Sequence, residues 1–371
     1  MRDLISDIKL WLDQGKRIAL ATVVQKTGSS PGPVGSKMLV SSDGEMFGSV
    51  SGGCVESSVI IEALTCIETG TPKLHSYGIT DENPWTVGLA CGGKIQVFVE
   101  PLFDRRIHSG FTKSFFKKLK KLSVNEQACS IITLLTGETA GEKILWCNNE
   151  ISSGGIHAPW FNKQIEMSSK SCLKSGKPHK YILLQKNKKV EIFIEPFLPQ
   201  PRMIIVGAVQ IATALVNFAH EIGYKTIVTD PRSAFLTPER FPTADLIIHA
   251  WPDNALENIH LNPHDCFVVL SHDEKIDVPA LLFALETTCS YIGLLGSRKT
   301  RDGIFSLLRQ AGISVTKIAR IHSPIGLDIG AIRPEEIALA IIAEIIASQN
   351  KKQSRTHSIN RINNACISKN T

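Results

Sequence analysis

Nowhere in this chain does an apolar run reach the ~18 residues that a membrane-spanning helix needs, which excludes a bilayer partner of that kind. There is no C-x-x-C pair either. The nine cysteines are scattered and odd in number, which argues for a reducing cytoplasm and against a disulfide or zinc framework. Residues 1–14 are polar and amphipathic, with Leu4, Ile5, Ile8, Trp11 and Leu12 on one face, and read as a helix rather than a signal peptide. Acidic residues are missing from the last stretch. Lys351, Lys352, Arg355, Arg361 and Lys369 supply most of the net charge of +6, so the body of the 371-residue chain is nearly neutral. That confinement argues against nucleic acid as a partner, and the Ser- and Asn-rich tail reads as a disordered end. The lysines at 117, 118, 120 and 121 read as one solvated helix face. An apolar fraction of 43% is ordinary for packed globular domains.

What the chain does have is glycine in clusters. The centre of its organisation is Gly48-Ser49-Val50-Ser51-Gly52-Gly53-Cys54-Val55-Glu56, lying between two apolar stretches. A helical pattern starts there, with Val59, Ile60, Ala63, Leu64 and Ile67 as its stripe. A small-residue loop therefore feeds a helix N-terminus, where free N–H groups and the helix dipole favour an anion or a thiolate. Glu56 suits either a proton shuttle or a cap for that helix. Two further loops share the character: Gly28-Ser29-Ser30-Pro31 through Gly35-Ser36-Lys37-Met38, and Gly88-Leu89-Ala90-Cys91-Gly92-Gly93. Strands are expected at 17–25, around Met38 to Val40, from Met46 to Val50 after the turn at Asp43-Gly44, and at 94–100. The run Lys94 to Leu102 is echoed by Lys189 to Phe197, read as two similar strand endings rather than a duplicated domain. Between them, 128–135, 143–147 and 181–185 read as strands of a β-rich extension.

Leu198-Pro199-Gln200-Pro201 is a stiff linker. Beyond it, apolar strands at 203–206, 225–229, 245–249, 266–270 and 291–295 alternate with helices at 210–222, 279–286, 299–310 and 334–347. That alternation means an α/β, Rossmann-like doubly wound parallel sheet, following a β-rich α+β N-terminal domain. Ligands of such sheets sit beyond the strand carboxyl ends. Gly207, Asp230 with Arg232, Ser271-His272-Asp273 and Gly296-Ser297-Arg298 all fall there. Asp230, twenty-three residues after Gly207, stands where a ribose-binding acid belongs. G-x-G-x-x-G is absent: Val209 takes the place of the second glycine and would crowd a pyrophosphate, so NAD(P) is discounted.

In order and spacing, the three loops with Ala21-Thr22-Val23-Val24 resemble the N-terminal domain of the XdhC/CoxI family, the xanthine dehydrogenase accessory proteins; the cysteine at 54 is similar to the CoxI-type branch. Asp230-Pro231-Arg232, His272-Asp273 with Asp277, Gly293 to Arg298, His322 to Gly330 and Pro334-Glu335-Glu336 resemble the family's C-terminal domain, although Val209 and Gln210 replace the usual Gly and His. The resemblance implies residues 1–198 as the family's N-terminal domain (motif region 1–102, extension 103–198), 199–349 as the Rossmann-like domain and 350–371 as the tail. It implies a cytoplasmic maturation factor, more a cofactor-insertion chaperone than a catalyst. Such a factor binds molybdenum cofactor (molybdopterin), supports its sulfuration and delivers it to a xanthine dehydrogenase- or CO dehydrogenase-type molybdenum hydroxylase. Partners would be that apo-enzyme, a cysteine desulfurase and a second copy in a homodimer. Cys54 and Cys91 would be thiol ligands to the cofactor's molybdenum or a sulfur relay. Ser29, Lys37, Gly52, Gly53, Gly92 and Gly93, with the second-domain rim, would bind the cofactor. The other readings are an NAD(P)-dependent oxidoreductase and a diverged nucleotide-binding regulatory protein.

Overall fold

The computed structural model describes residues 1–29, 32–78, 93–104, 106, 110–153, 159–185 and 188–350. Ser30, Pro31, Gly88 to Gly92 with Cys91, and the basic tail lie outside the described residues. The chain divides into a unit Met1–Pro199 and a unit that begins at Gln200.

The first unit is built twice. Its first half runs α1 (Ile5–Asp13), β1 (Ile18–Thr27), β2 (Lys37–Ser41), β3 (Met46–Gly48), α2 (Glu56–Thr69), β4 (Lys73–Tyr77) and β5 (Lys94–Leu102). Its second half runs α3 (Lys113–Val124), β6 (Cys129–Leu134), β7 (Lys143–Cys147), β8 (Glu150–Ser153), α4 (Pro159–Ser175), β9 (His179–Gln185) and β10 (Lys188–Phe197). Each half forms an antiparallel sheet, in the orders β3-β2-β1-β5-β4 and β8-β7-β6-β10-β9, the same order with the same connections. The echo of Lys94–Leu102 in Lys189–Phe197 thus falls on corresponding central strands. Residues 103–198 are more than a β-rich extension, since they repeat the helices too.

Period-two alternation explains the layers. On β1, Ala19, Ala21 and Val23 pack with Val59, Ala63 and Ile67 of α2. On the second sheet, Ile132, Ile144 and Ile192 pack with Ile165 and Cys172 of α4. The opposite faces meet each other, with α1 and α3 wedged in through Ile8, Trp11, Phe115, Phe116 and Leu119. Buried between the sheets are two ion pairs that cross from one half to the other. Lys37 Nζ lies 2.8 Å from Glu195 Oε2, and Lys143 Nζ lies 2.8 Å from Glu100 Oε1. Each lysine also donates to a threonine of its own sheet, Thr22 at 3.3 Å and Thr133 at 2.8 Å.

The second unit is a parallel sheet of β11 (Arg202–Val206), β12 (Lys225–Thr229), β13 (Leu246–Ile248), β14 (Cys266–Val269), β15 (Tyr291–Leu294) and β16 (Ile321–His322). Their order, β13-β12-β11-β14-β15-β16, is that of Rossmann folds, with its switch point between β11 and β14. Helix α5 (Gln210–Glu221) and α10 (Pro334–Gln349) cover one face. The other face is covered by α6 (Pro252–Leu256), α7 (Glu274–Glu286), α8 (Arg298–Gln310) and α9 (Val315–Ile318). Pro279 does not open α7 as expected. Asp273 caps the helix earlier, accepting from Lys275 N at 3.0 Å, and Pro279 lies inside it. The two-residue β16 carries too little pattern to be read from sequence.

Candidate functional site

Strand register brings the glycine-bearing loops to one end of the first sheet. Thr27 pairs with Lys94, Tyr77 with Ile95, and Met38 with Gly48. The loops leaving β1, β3 and β4 therefore start side by side. They also touch. Gly32 has φ +80, and a Cβ there would lie 2.6 Å from the Val50 carbonyl oxygen, so only glycine lets the first loop lie against the second. A Cβ on Gly28 would meet Gly93 Cα at 3.6 Å, which joins the first loop to the end of the third.

Glu56 ties the middle loop. Its Oε1 accepts from the Ser49 hydroxyl at 2.6 Å and from Ser51 N at 2.8 Å. Its Oε2 accepts from the Ser51 hydroxyl, from Gly53 N at 2.8 Å and from Val55 N at 3.2 Å. Burial works against a charge here, yet the bonds from Ser49 and Ser51 outweigh it and hold the carboxyl at about 2. Both oxygens are committed, so the geometry is that of a loop anchor. Ser51 Oγ additionally accepts from Cys54 N at 3.0 Å. The Cys54 thiol ends half-buried, one residue before the Val55 N-cap of α2. The thiol there remains partly reachable.

Of the N-terminal residues singled out by sequence, Ser29, Gly52, Gly53, Cys54 and Gly93 belong to this cluster. Lys37 does not. Its side chain is 4% exposed between the sheets, and the anion it balances is Glu195. Cys91 and Gly92 lie outside the described residues. Among the described residues, no group of three or more His, Cys, Asp or Glu could hold a metal ion. Pattern reading passes over Ser49 and Ser51, whose only signal is their spacing before Glu56.

In the second unit, the rim residues assemble around the switch point. Gly207 has φ +104, and a Cβ there would lie 2.5 Å from Ser271 N, so the β11 and β14 loops pass in backbone contact. Asp230 is fully buried. It accepts from Ala208 N at 2.8 Å, and Arg232 Nε and Nη2 reach it at 2.9 and 2.7 Å. Burial opposes its charge, but Arg232 and the Ala208 amide outweigh that and keep its pKa low. Its oxygens brace two loops. Ser297 caps α8 through Thr300 N at 3.2 Å, next to Gly296 and the exposed Arg298. His272 is exposed at φ +59. Beneath it, burial pushes Asp277 up to about 6, against the pull of the Ser271 hydroxyl. Val209 is the N-cap of α5 and offers its amides no side-chain acceptor.

Over residues 11–78 the sequence matches the family model described as the XdhC and CoxI family, and over 203–345 the one described as the XdhC Rossmann domain. A relative from Bacillus subtilis (strain 168), named as a probable xanthine dehydrogenase subunit, is 30% identical over 343 residues, 92% of this chain and 96% of its own. The chain belongs to the XdhC and CoxI family. Another member from Escherichia coli (strain K12), the molybdenum cofactor insertion chaperone PaoD, is 25% identical over 336 residues, 90% of this chain and 84% of its own. A crystal structure described as a xanthine dehydrogenase from Bacillus halodurans superposes with a TM-score of 0.73 at 26% identity, covering 95% of this chain and 97% of that one. Within this XdhC-type chain, the first matched segment ends at Gly78. It holds the Cys54 loop, whereas β5 and the whole second half of the unit lie beyond it.

Proposed function

We propose that this protein is an accessory factor for a molybdenum hydroxylase, binding molybdenum cofactor, supporting its sulfuration and delivering it to a xanthine dehydrogenase- or CO dehydrogenase-type apo-enzyme. The observation that carries this reading is the Cys54 thiol, set by the Glu56–Ser51 network in a loop against which the Gly32 loop packs at Val50. A soft thiolate suits a thiophilic metal, and backbone amides in glycine loops suit phosphate. The names of the B. subtilis and E. coli relatives support the same client class. In this reading Cys54, with Cys91, meets the molybdenum end or relays sulfur supplied by a cysteine desulfurase, in the cytoplasm, with the protein acting as a homodimer. No helix among the described residues is long and apolar enough to cross a membrane, which is compatible with that setting.

The test is cofactor capture. The protein is expressed in cells that synthesise molybdenum cofactor, purified without oxidation, and assayed for released pterin and molybdenum beside Cys54→Ala and Cys91→Ala. Near-stoichiometric pterin in the wild type, falling at least about tenfold in Cys54→Ala, is the expected result; a tenfold loss corresponds to about 1.4 kcal/mol of binding. A correctly folded wild type that carries no pterin overturns cofactor binding.

A further inference from the structure

Below the glycine loops, on the face of the first sheet that looks toward the second, three strands end in an unused row of polar side chains. The register sets Thr27 beside Lys94, and one rung down it sets Gln25 and Ser76 on either side of Gln96. These residues line a cavity of about 250 Å³. That is just below the ~300–1,000 Å³ of pockets that enclose a whole drug-sized ligand, so it fits one end of a larger molecule.

The donors in this cavity are arranged. Lys180, from β9, donates to Gln96 Oε1 at 2.6 Å and to Gln25 Oε1 at 3.3 Å. Lys180 thus fixes which way both carboxamides face, and Gln96 Nε2 donates to Ser76 Oγ at 3.3 Å, which leaves the Ser76 hydroxyl hydrogen free to donate. Lys180 is itself neutralised by Glu191 at 2.7 Å. Lys94 has no acidic partner among the described residues. Its stem lies across Gly78, where a Cβ would come within 2.8 Å of Lys94 Cγ, so the glycine makes room for the lysine at the mouth. The set is the Lys94 ammonium, which meets no acid among the described residues, the Thr27 and Ser76 hydroxyls, and the two amides held by Lys180. It offers donors and a positive charge, and it lies beside the Gly28–Gly93 contact.

We infer that this cavity is a subsite for a phosphate monoester, with Lys94 as its counter-charge and Thr27 and Ser76 as hydroxyl donors. The inference rests on the proposed function only in naming the source: the phosphate end of the cofactor whose metal end meets Cys54. Lysine recognises phosphate as a point charge and the hydroxyls fix its orientation.

The experiment has two arms on the full-length protein. Inorganic phosphate is titrated and followed by its ³¹P linewidth for the wild type, Lys94→Met, Thr27→Val and the exposed surface control Lys9→Met. Pterin content is measured for the same proteins after expression in cofactor-synthesising cells. The expected result is phosphate binding weakened at least about tenfold in Lys94→Met, less in Thr27→Val and not at all in Lys9→Met, with pterin content falling in the same order. Wild-type protein that does not broaden the phosphate signal at millimolar concentration, or Lys94→Met that binds phosphate like the wild type, overturns the subsite. If phosphate binding depends on Lys94 but the wild type carries no pterin, the subsite stands and the cofactor reading falls. If the wild type carries pterin and Lys94→Met matches it in both arms, the cofactor reading stands and the subsite falls.

Discussion

Glu56 shows how one carboxylate can organise a loop. Five donors converge on it from a stretch of eight residues, 49–56. A glutamine at 56 can accept at one atom only, so Glu56→Gln strands several of those donors, at about 1–3 kcal/mol for each one left buried and unpaired. The penalty depends on pH. The carboxyl lies at about 2 in the folded protein against 4.5 when unperturbed, so its contribution is complete above about 4.5 and is lost as pH falls toward 2. Urea denaturation of wild type and Glu56→Gln should differ most near neutral pH, and the gap should close through that window; a gap independent of pH would show that the charge is not what matters. From sequence, Glu56 has two possible roles, a shuttle or a cap. Pattern cannot decide between them, because the Ser49 and Ser51 hydroxyls reach the carboxylate only after the loop has folded back.

Helices and strands are easiest to read where periodicity is long. Helices α5, α8 and α10 stand within a residue or two of where the pattern predicts them. Helix α7 starts earlier than its pattern suggests, because a proline near its start outweighs the Asp273 cap in pattern alone. The repeat in the first unit is visible only as nine echoing residues, since the loops differ so much between its halves. The ion pairs that join the halves are invisible in sequence, because neither partner has a neighbour that announces it. Removing one partner leaves a buried charge unpaired, which typically costs about 3–5 kcal/mol, whereas replacing both with apolar groups of similar volume is often neutral. Lys37→Met should therefore destabilise the protein by that order, and Lys37→Met combined with Glu195→Leu should recover most of the loss in chemical denaturation. A double variant no more stable than the single would show that the pair is not coupled.

In the protein taken entire, the two units divide legibility between them. The Rossmann-like order follows from alternation of strands and helices, and Val209 is a usable warning about dinucleotides from sequence alone. The structure adds a second reason, since Asp230 has its oxygens held by Ala208 and Arg232. Titration with NADH or NADPH into the millimolar range should leave both cofactor fluorescence and protein melting temperature unchanged; saturable binding would revive the oxidoreductase reading. The loop cluster is half legible. Glycine content marks the loops, but only register places Thr27, Ser76 and Lys94 below them, and residues from three strands far apart in sequence do not form a motif.

The crossed ion pairs also set an order of events during synthesis. When the first sheet has left the ribosome, Lys37 and Glu100 each still wait for a mate encoded in the second half. Non-local pairing of this kind is slow and leaves interior groups uncovered until it is made. The first unit thus becomes self-consistent only when β10 arrives with Glu195, almost at the linker. A nascent chain interrupted before that strand would present an incompletely neutralised interior to the cell's quality control, even with every glycine loop already translated.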